Sequence, residues 1–344
     1  MGHFFARKKA HQRHDSTRFC IVLTSAVVFL ALMLPPALVA AGFSFGQSGA
    51  NSSSADRDLS EIDALIETNH LQEAQERLQE EIHARGESYA TLFREAKLFF
   101  REKKYHDSLS VLRRCLALTQ EDPEAYKLVA SNAILIDRMD IAETALNTAV
   151  KLAPNDYLVF FNLGALYYTD SRFSQAQPPL EKSLKLKPDY VPARLFLGLT
   201  LEELGQEPQA VECYHLAIKT AETSGFKGEQ PYLYLGRLLY RENRMDESLP
   251  YLQKAVETNP QSCEALCLVA RVHMYRSRDA EALEALKQCL RADPQYPESH
   301  YLLSRIYVKQ GKTDDAAKEL SMFQQLRRVE HNEKDPRKNQ RAMP

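Results

Sequence analysis

From Arg57 onward, apolar residues recur every three or four positions, in runs of about a dozen separated by short polar turns. That is the period of helices that bury one face. The runs themselves repeat. A small residue falls at Ala74, Ser108, Ala142, Ala176, Ala210, Ser248, Ala282 and Ala316, at intervals of 34, 34, 34, 34, 38, 34 and 34. A large residue follows four positions later each time: Leu78, Leu112, Leu146, Leu180, Tyr214, Leu252, Leu286 and Leu320. Four positions is one turn, so each pair shares a face. A small residue at a fixed interval marks a place where two helices come too close for a larger side chain. A second small position runs through the alternate helices. Leu163-Gly164, Leu197-Gly198 and Leu235-Gly236 carry glycine there, and Ala96, Ala130, Ala270 and Ser304 hold the same phase. Pro154, Pro188, Pro260 and Pro294 close several units, where one helix must stop before the next begins. Gly205, Asn243 and Gly311 fall between the paired helices, where a left-handed backbone is useful. The pattern predicts an all-α chain of about eight helix–turn–helix units. An irregular unit spans 55–88, and seven more begin near 89, 123, 157, 191, 229, 263 and 297. The four extra residues belong in a loop from Glu222 to Gly228.

The two ends of the chain do not follow this period. Arg7, Lys8, Lys9, Arg13 and Arg18 precede an uncharged run from Phe19 to Leu34. Pro35 and Pro36 break it, and Ala37-Leu38-Val39-Ala40-Ala41 supplies small residues suited to a signal peptidase. Residues 1–41 are predicted to be a signal peptide, or, uncleaved, an anchor in which residues 19–43 span the bilayer. Both readings place the repeats outside the cytoplasm, because the positive charge precedes the apolar run. Residues 42–56 read as a flexible linker rich in Gly, Ser and Asn. Residues 331–344 have no apolar period and read as a disordered tail.

Charge narrows the function further. The chain carries 44 Lys and Arg against 46 Asp and Glu, a formal charge of -2. Whole-chain charge therefore makes no case for nucleic-acid binding. Catalytic patterns are equally scarce. Gly42-Phe43-Ser44-Phe45-Gly46 fits a nucleophile string, but it lacks the strand before and the helix after that such a turn needs. No phosphate loop, zinc-binding pair or calcium loop occurs, so neither an enzyme nor a cofactor is expected. Glu80-Glu81 and Glu202-Glu203 read as solvated carboxylates. Five cysteines lie outside the leader, an odd number. Cys115, Cys213 and Cys289 read as buried small hydrophobes, and Cys263 and Cys267 lie on one helix, poorly placed to pair. No required disulfide is expected.

The 34-residue unit resembles the tetratricopeptide repeat. Residues 157–190 match it with Phe160, Leu163, Gly164, Tyr167, Ala176 and Pro188, and depart from it at Leu180 and Ser183. The resemblance spans residues 57–330 and implies a right-handed superhelical solenoid. It also implies that the fifth, ninth, twelfth and thirteenth residues of each unit face a concave groove. Those positions give an apolar zone with Phe161, Tyr168 and Leu195. Toward the carboxyl end they give a basic and aromatic zone: Arg237, Arg271 and Arg305 recur 34 apart, beside Tyr240, Arg241, Tyr275, Tyr301 and Lys309. Glu264 and Glu298 are placed to neutralise that row. The carboxylate clamp of some family members is matched by Lys127 and Asn162, but not by Ser131, Pro192 or Phe196. The resemblance implies a non-enzymatic scaffold that binds an extended or helical segment of another protein in its concave groove, and the arginine row predicts that the segment is acidic or carboxylate-bearing. An acidic glycan on the basic aromatic zone is the alternative.

Overall fold

A computed structural model describes residues 54–333 of the chain. The leader at 1–41 lies outside the described residues, as do most of the stretch read as linker and nearly all of the stretch read as tail. Among the described residues there are sixteen helices and no strand. They run α1 (Ser54–Glu67), α2 (Leu71–Arg85), α3 (Tyr89–Arg101), α4 (Tyr105–Leu118), α5 (Pro123–Leu135), α6 (Met139–Leu152), α7 (Tyr157–Thr169), α8 (Phe173–Leu186), α9 (Val191–Glu203), α10 (Glu207–Ser224), α11 (Gln230–Arg241), α12 (Met245–Thr258), α13 (Cys263–Tyr275), α14 (Asp279–Ala292), α15 (Pro297–Lys309) and α16 (Thr313–Glu333). Three boundaries differ from the sequence reading. α1 begins inside the expected linker, α16 continues into the expected tail, and α10 runs through Ser224, so much of the four-residue insertion lengthens that helix rather than the loop expected from Glu222 to Gly228.

The helices pair in chain order: each odd-numbered helix packs on the even-numbered one that follows. The small-residue phase explains the closeness. Ala74, Ser108, Ala142, Ala176, Ala210, Ser248 and Ala282 have no exposed surface. At the glycine phase the fit is tighter still. A Cβ on Gly164 would stand 2.5 Å from Leu180, one on Gly198 2.4 Å from Tyr214, and one on Gly236 2.7 Å from Leu252. The large residue of the second helix thus lies against the bare backbone of the first. Where serine holds the small position, its hydroxyl also finds a partner. Ser108 donates to the Ala96 carbonyl at 2.8 Å, and Ser248 to the Gly236 carbonyl at 2.7 Å.

All eight turns within the pairs share one geometry. A single left-handed residue stands at 69, 103, 137, 171, 205, 243, 277 and 311. The amide after it reaches back five residues, as Lys104 does to the Phe99 carbonyl at 2.9 Å and Arg244 to Leu239 at 2.9 Å. This closes the open carbonyls of the first helix. Only Gly205 and Gly311 are glycine; Asn69, Lys103, Asp137, Ser171, Asn243 and Ser277 adopt positive φ with a side chain. Three first helices open on side-chain caps. Asp122 accepts from the Glu124 amide, Asp156 from the Leu158 amide, and Ser88 forms a reciprocal box with Thr91.

The chain divides into two compact units, one ending at Pro188 and the other beginning at Asp189. The first holds α1–α8. Its described core includes a cluster around Ile62, Leu78 and Leu98, one around Leu92, Leu112 and Leu128, and one around Ile134, Leu146 and Leu166. The second holds α9–α16. A large cluster there runs from Leu233 through Leu252, Leu266 and Leu286 to Leu303 and Ile306.

One expectation is overturned in this core. Cys263 and Cys289 form a disulfide that ties the start of α13 to the last turn of α14. Comparing Cys263 only with its helix neighbour Cys267 missed the pairing, because the partner lies across the helix pair. Cys115, Cys213 and Cys267 are free and buried. Burial pushes the Cys267 thiol up to about 12, so it stays protonated at neutral pH.

Candidate basic and aromatic face of the second unit

Three successive first helices of the second unit, α11, α13 and α15, carry Arg237, Arg271 and Arg305 at their ninth unit position. Their surroundings differ. Arg237 is largely covered, its side chain 18% exposed, and contacts Glu264 at 3.2 Å and Glu202 at 3.8 Å. Its guanidinium also lies over the Tyr234 ring, 4.8 Å from the centroid. Burial by itself would make that guanidinium easier to deprotonate. The charges of Glu264 and Glu202 outweigh it and hold the proton more tightly than usual. Arg271 grips Glu298 through Nε at 2.9 Å and through Nη2, with the Tyr240 phenol beside it. Arg305 is exposed and has no carboxylate partner among the described residues. It lies 6.0 Å from the centroid of the Tyr301 ring.

The pairing therefore follows a register. Each paired arginine takes the glutamate at the second position of the next first helix, 27 residues on: Glu264 on α13 for Arg237, Glu298 on α15 for Arg271. The placement of Glu264 and Glu298 against the row holds for the first two arginines and does not extend to the third.

Glu202 is the residue that sequence reasoning misplaced. It was read as solvated, yet its side chain is 2% exposed. It accepts from Arg241 at 2.6 Å and from the Tyr214 phenol, in addition to Arg237. Two guanidiniums and a hydroxyl replace the water that a buried carboxylate gives up. Glu202 is the twelfth residue of its unit, an inward-facing phase. That position was the available signal, and the adjacent Glu203 masked it. Glu81 is likewise buried rather than solvated, held by Arg85 at 2.6 Å.

The remaining residues of the set fall in different settings. Phe161 and Tyr168 lie in the first unit and are buried; Leu195, in the second unit, is buried as well. Lys309 is exposed but paired with Asp279 at 2.8 Å. Tyr240 is half-buried. Tyr275 is open at 65% exposure, and Tyr301 is partly open, its ring 5.3 Å from that of Phe323. Val308, at the twelfth position of its unit, is 66% exposed and was not singled out from the sequence. The open part of this face is thus Tyr275, Tyr301, Arg305 and Val308. His273 is buried with its Nδ1 unpartnered, and burial lowers its affinity for a proton, so it packs as a neutral ring. Among the described residues no group of three His, Cys, Asp or Glu side chains is placed to hold a metal ion. None of the described helices is long and apolar enough to cross a membrane.

Comparison with known proteins adds to this geometry. Two family models described as tetratricopeptide repeat match residues 230–262 and 279–325. The anaphase-promoting complex subunit CDC16 of Saccharomyces cerevisiae is 23% identical over 141 residues, 39% of this chain and 16% of that protein. The BBSome complex member BBS4 of Mus musculus is 23% identical over 183 residues, 53% of this chain and 28% of that protein. The chain thus spans under a third of either relative. Among solved structures, that of the pilF protein of Pseudomonas aeruginosa superposes with a TM-score of 0.53 at 17% identity, covering 61% of this chain and 94% of that one. That likeness is one of fold.

Proposed function

This chain is a tetratricopeptide-repeat protein, and we propose that it is a non-enzymatic scaffold that holds a segment of another protein on the inner face of its second unit. The observation that carries the reading is the open set Tyr275, Tyr301, Arg305 and Val308 on successive first helices. Flat aromatic surface beside one unpaired guanidinium suits a peptide segment bearing a carboxylate. The ion-pair accounting favours a protein over an acidic glycan. A polyanion needs a run of free cations, and Arg237 and Arg271 are already taken. CDC16 and BBS4 are each described as members of multi-protein complexes, which fits a scaffold role here. We place its action outside the cytoplasm. Besides the leader pattern, the Cys263–Cys289 disulfide supports this, since such bonds persist in oxidising compartments.

The test is capture of binding partners by the full chain and by a Tyr275→Ala, Val308→Asp double variant. A partner held on this face should bind the variant about tenfold more weakly or worse. Retention of the same partners at unchanged affinity would show that they bind elsewhere.

A further inference from the structure

We infer that the uncovered end of the last helix pair, α15 and α16, is a docking slot for one helix of another protein, and that this helix carries a carboxylate in its first turn followed by a small residue. The inference rests on the reading of the second unit as a partner-binding surface and names the partner's form there.

Three features of the fold converge on it. The large residue four positions after the small mark is buried to 2% exposure or less in all of the first seven pairs, from Leu78 through Leu286. In the eighth pair its counterpart, Leu320, is 40% exposed, and Met322 beside it is 42% exposed. The face that α15 covers on α14 is therefore uncovered on α16. The second feature is the arginine register. Arg237 and Arg271 each take a glutamate from the second position of the next first helix, and Arg305 has no such partner among the described residues. The third is how a first helix seats on its predecessor. Its third position is buried and holds Thr91, Ala125, Val159, Ala193, Ala265 and Ser299, with Pro231 in α11. Ser299 shows the contact directly, donating to the Cys289 sulfur of α14 at 2.9 Å.

The chain does not fill the slot itself within the described residues. Arg328 stands at the phase where Pro154, Pro188, Pro260 and Pro294 end the earlier second helices, and α16 continues to Glu333 instead of turning back. A second copy is a poor occupant. The first helix α1 carries Arg57 at the third unit position, where the seven later first helices have Thr91, Ala125, Val159, Ala193, Pro231, Ala265 and Ser299. A second copy would bring arginine to the position that a small residue, Ser299, fills in α15. The other first helices are already covered by their neighbours. The occupant is then a helix of a different protein, with an acid for Arg305, a small residue next to it, and an apolar residue one turn further on.

The probe is a labelled peptide with the sequence Pro297–Lys309, which seats on α14 within the chain and carries Glu298 and Ser299 in the required places. Fluorescence anisotropy against the full chain should show saturable binding. Leu320→Asp and Arg305→Glu should each weaken it about tenfold or more, and a Glu298→Lys peptide should restore binding to the Arg305→Glu chain. Circular dichroism checks folding. Should Leu320→Asp unfold the chain, Leu320→Ser and the charge swap carry the test. Tyr275→Ala, which probes the inner face, should leave peptide binding intact, so the two readings fail separately. Absence of saturable binding, or binding indifferent to both substitutions, overturns the slot. So does a dimer seen by sedimentation that Leu320→Asp dissolves, because the occupant would then be a second copy.

Discussion

The seventh and eighth helix pairs carry nearly the same pattern and differ in what it becomes. Ala282 and Leu286 on α14 match Ala316 and Leu320 on α16, residue for residue. Leu286 is core, and Leu320 is half-open surface. On α13, Arg271 is gripped by a glutamate of the next first helix, α15; on α15, the equivalent Arg305 has no such partner among the described residues. Repeat position alone therefore does not make a residue structural or available. The helix that follows decides, and in a stacked array each unit completes its burial only through its neighbour.

That comparison can be broken most strongly in the core. Leu286→Ala should cost about 2–5 kcal/mol, because the cavity lies between packed helices, whereas Leu320→Ala should cost about 1 kcal/mol or less. Urea unfolding of the two variants measures this. Equal losses would mean that Leu320 is covered in solution.

The disulfide sharpens the comparison next, since it strengthens the seventh pair and has no counterpart in the eighth. Cys263→Ser with Cys289→Ser should lower stability by about 3–4 kcal/mol, as expected for closing a loop with a separation of 26 residues. An unchanged midpoint under oxidising conditions, with the bond verified by mass spectrometry in the parent, would contradict it.

The array was legible from sequence because its requirements are steric and periodic. A small residue where helices touch, a large one a turn later, and a proline where a helix must stop all leave marks that one chain repeats eight times. What stayed hidden depends on pairs brought together by the fold. Cys263 meets Cys289 from the far end of the next helix, and Glu202 is buried by Arg241, 39 residues away. The left-handed turns at Lys103, Ser171 and Ser277 left no residue-type signal either. There, helix packing imposes a backbone that those side chains do not favour.

The turns give the smallest effect. Lys103 holds φ at 62°, where Gly205 and Gly311 stand in other units. Lys103→Gly relieves that conformation but frees the unfolded chain, for a net gain of about 0.5 kcal/mol. A loss of stability on thermal unfolding would mean that the Lys103 side chain contributes packing of its own.

The account rests most directly on the face of α16 being open where that of α14 is closed. The measurement is the rate of thiol labelling at single new cysteines, Leu286→Cys and Leu320→Cys, with the parent chain setting the background from its buried Cys115, Cys213 and Cys267. Leu320→Cys should react at close to the rate of an exposed thiol. Leu286→Cys should be protected by about a hundredfold or more, reacting only through opening of the array. Comparable protection at the two positions would show that the end of the array is already covered, and would remove the basis for a partner helix there.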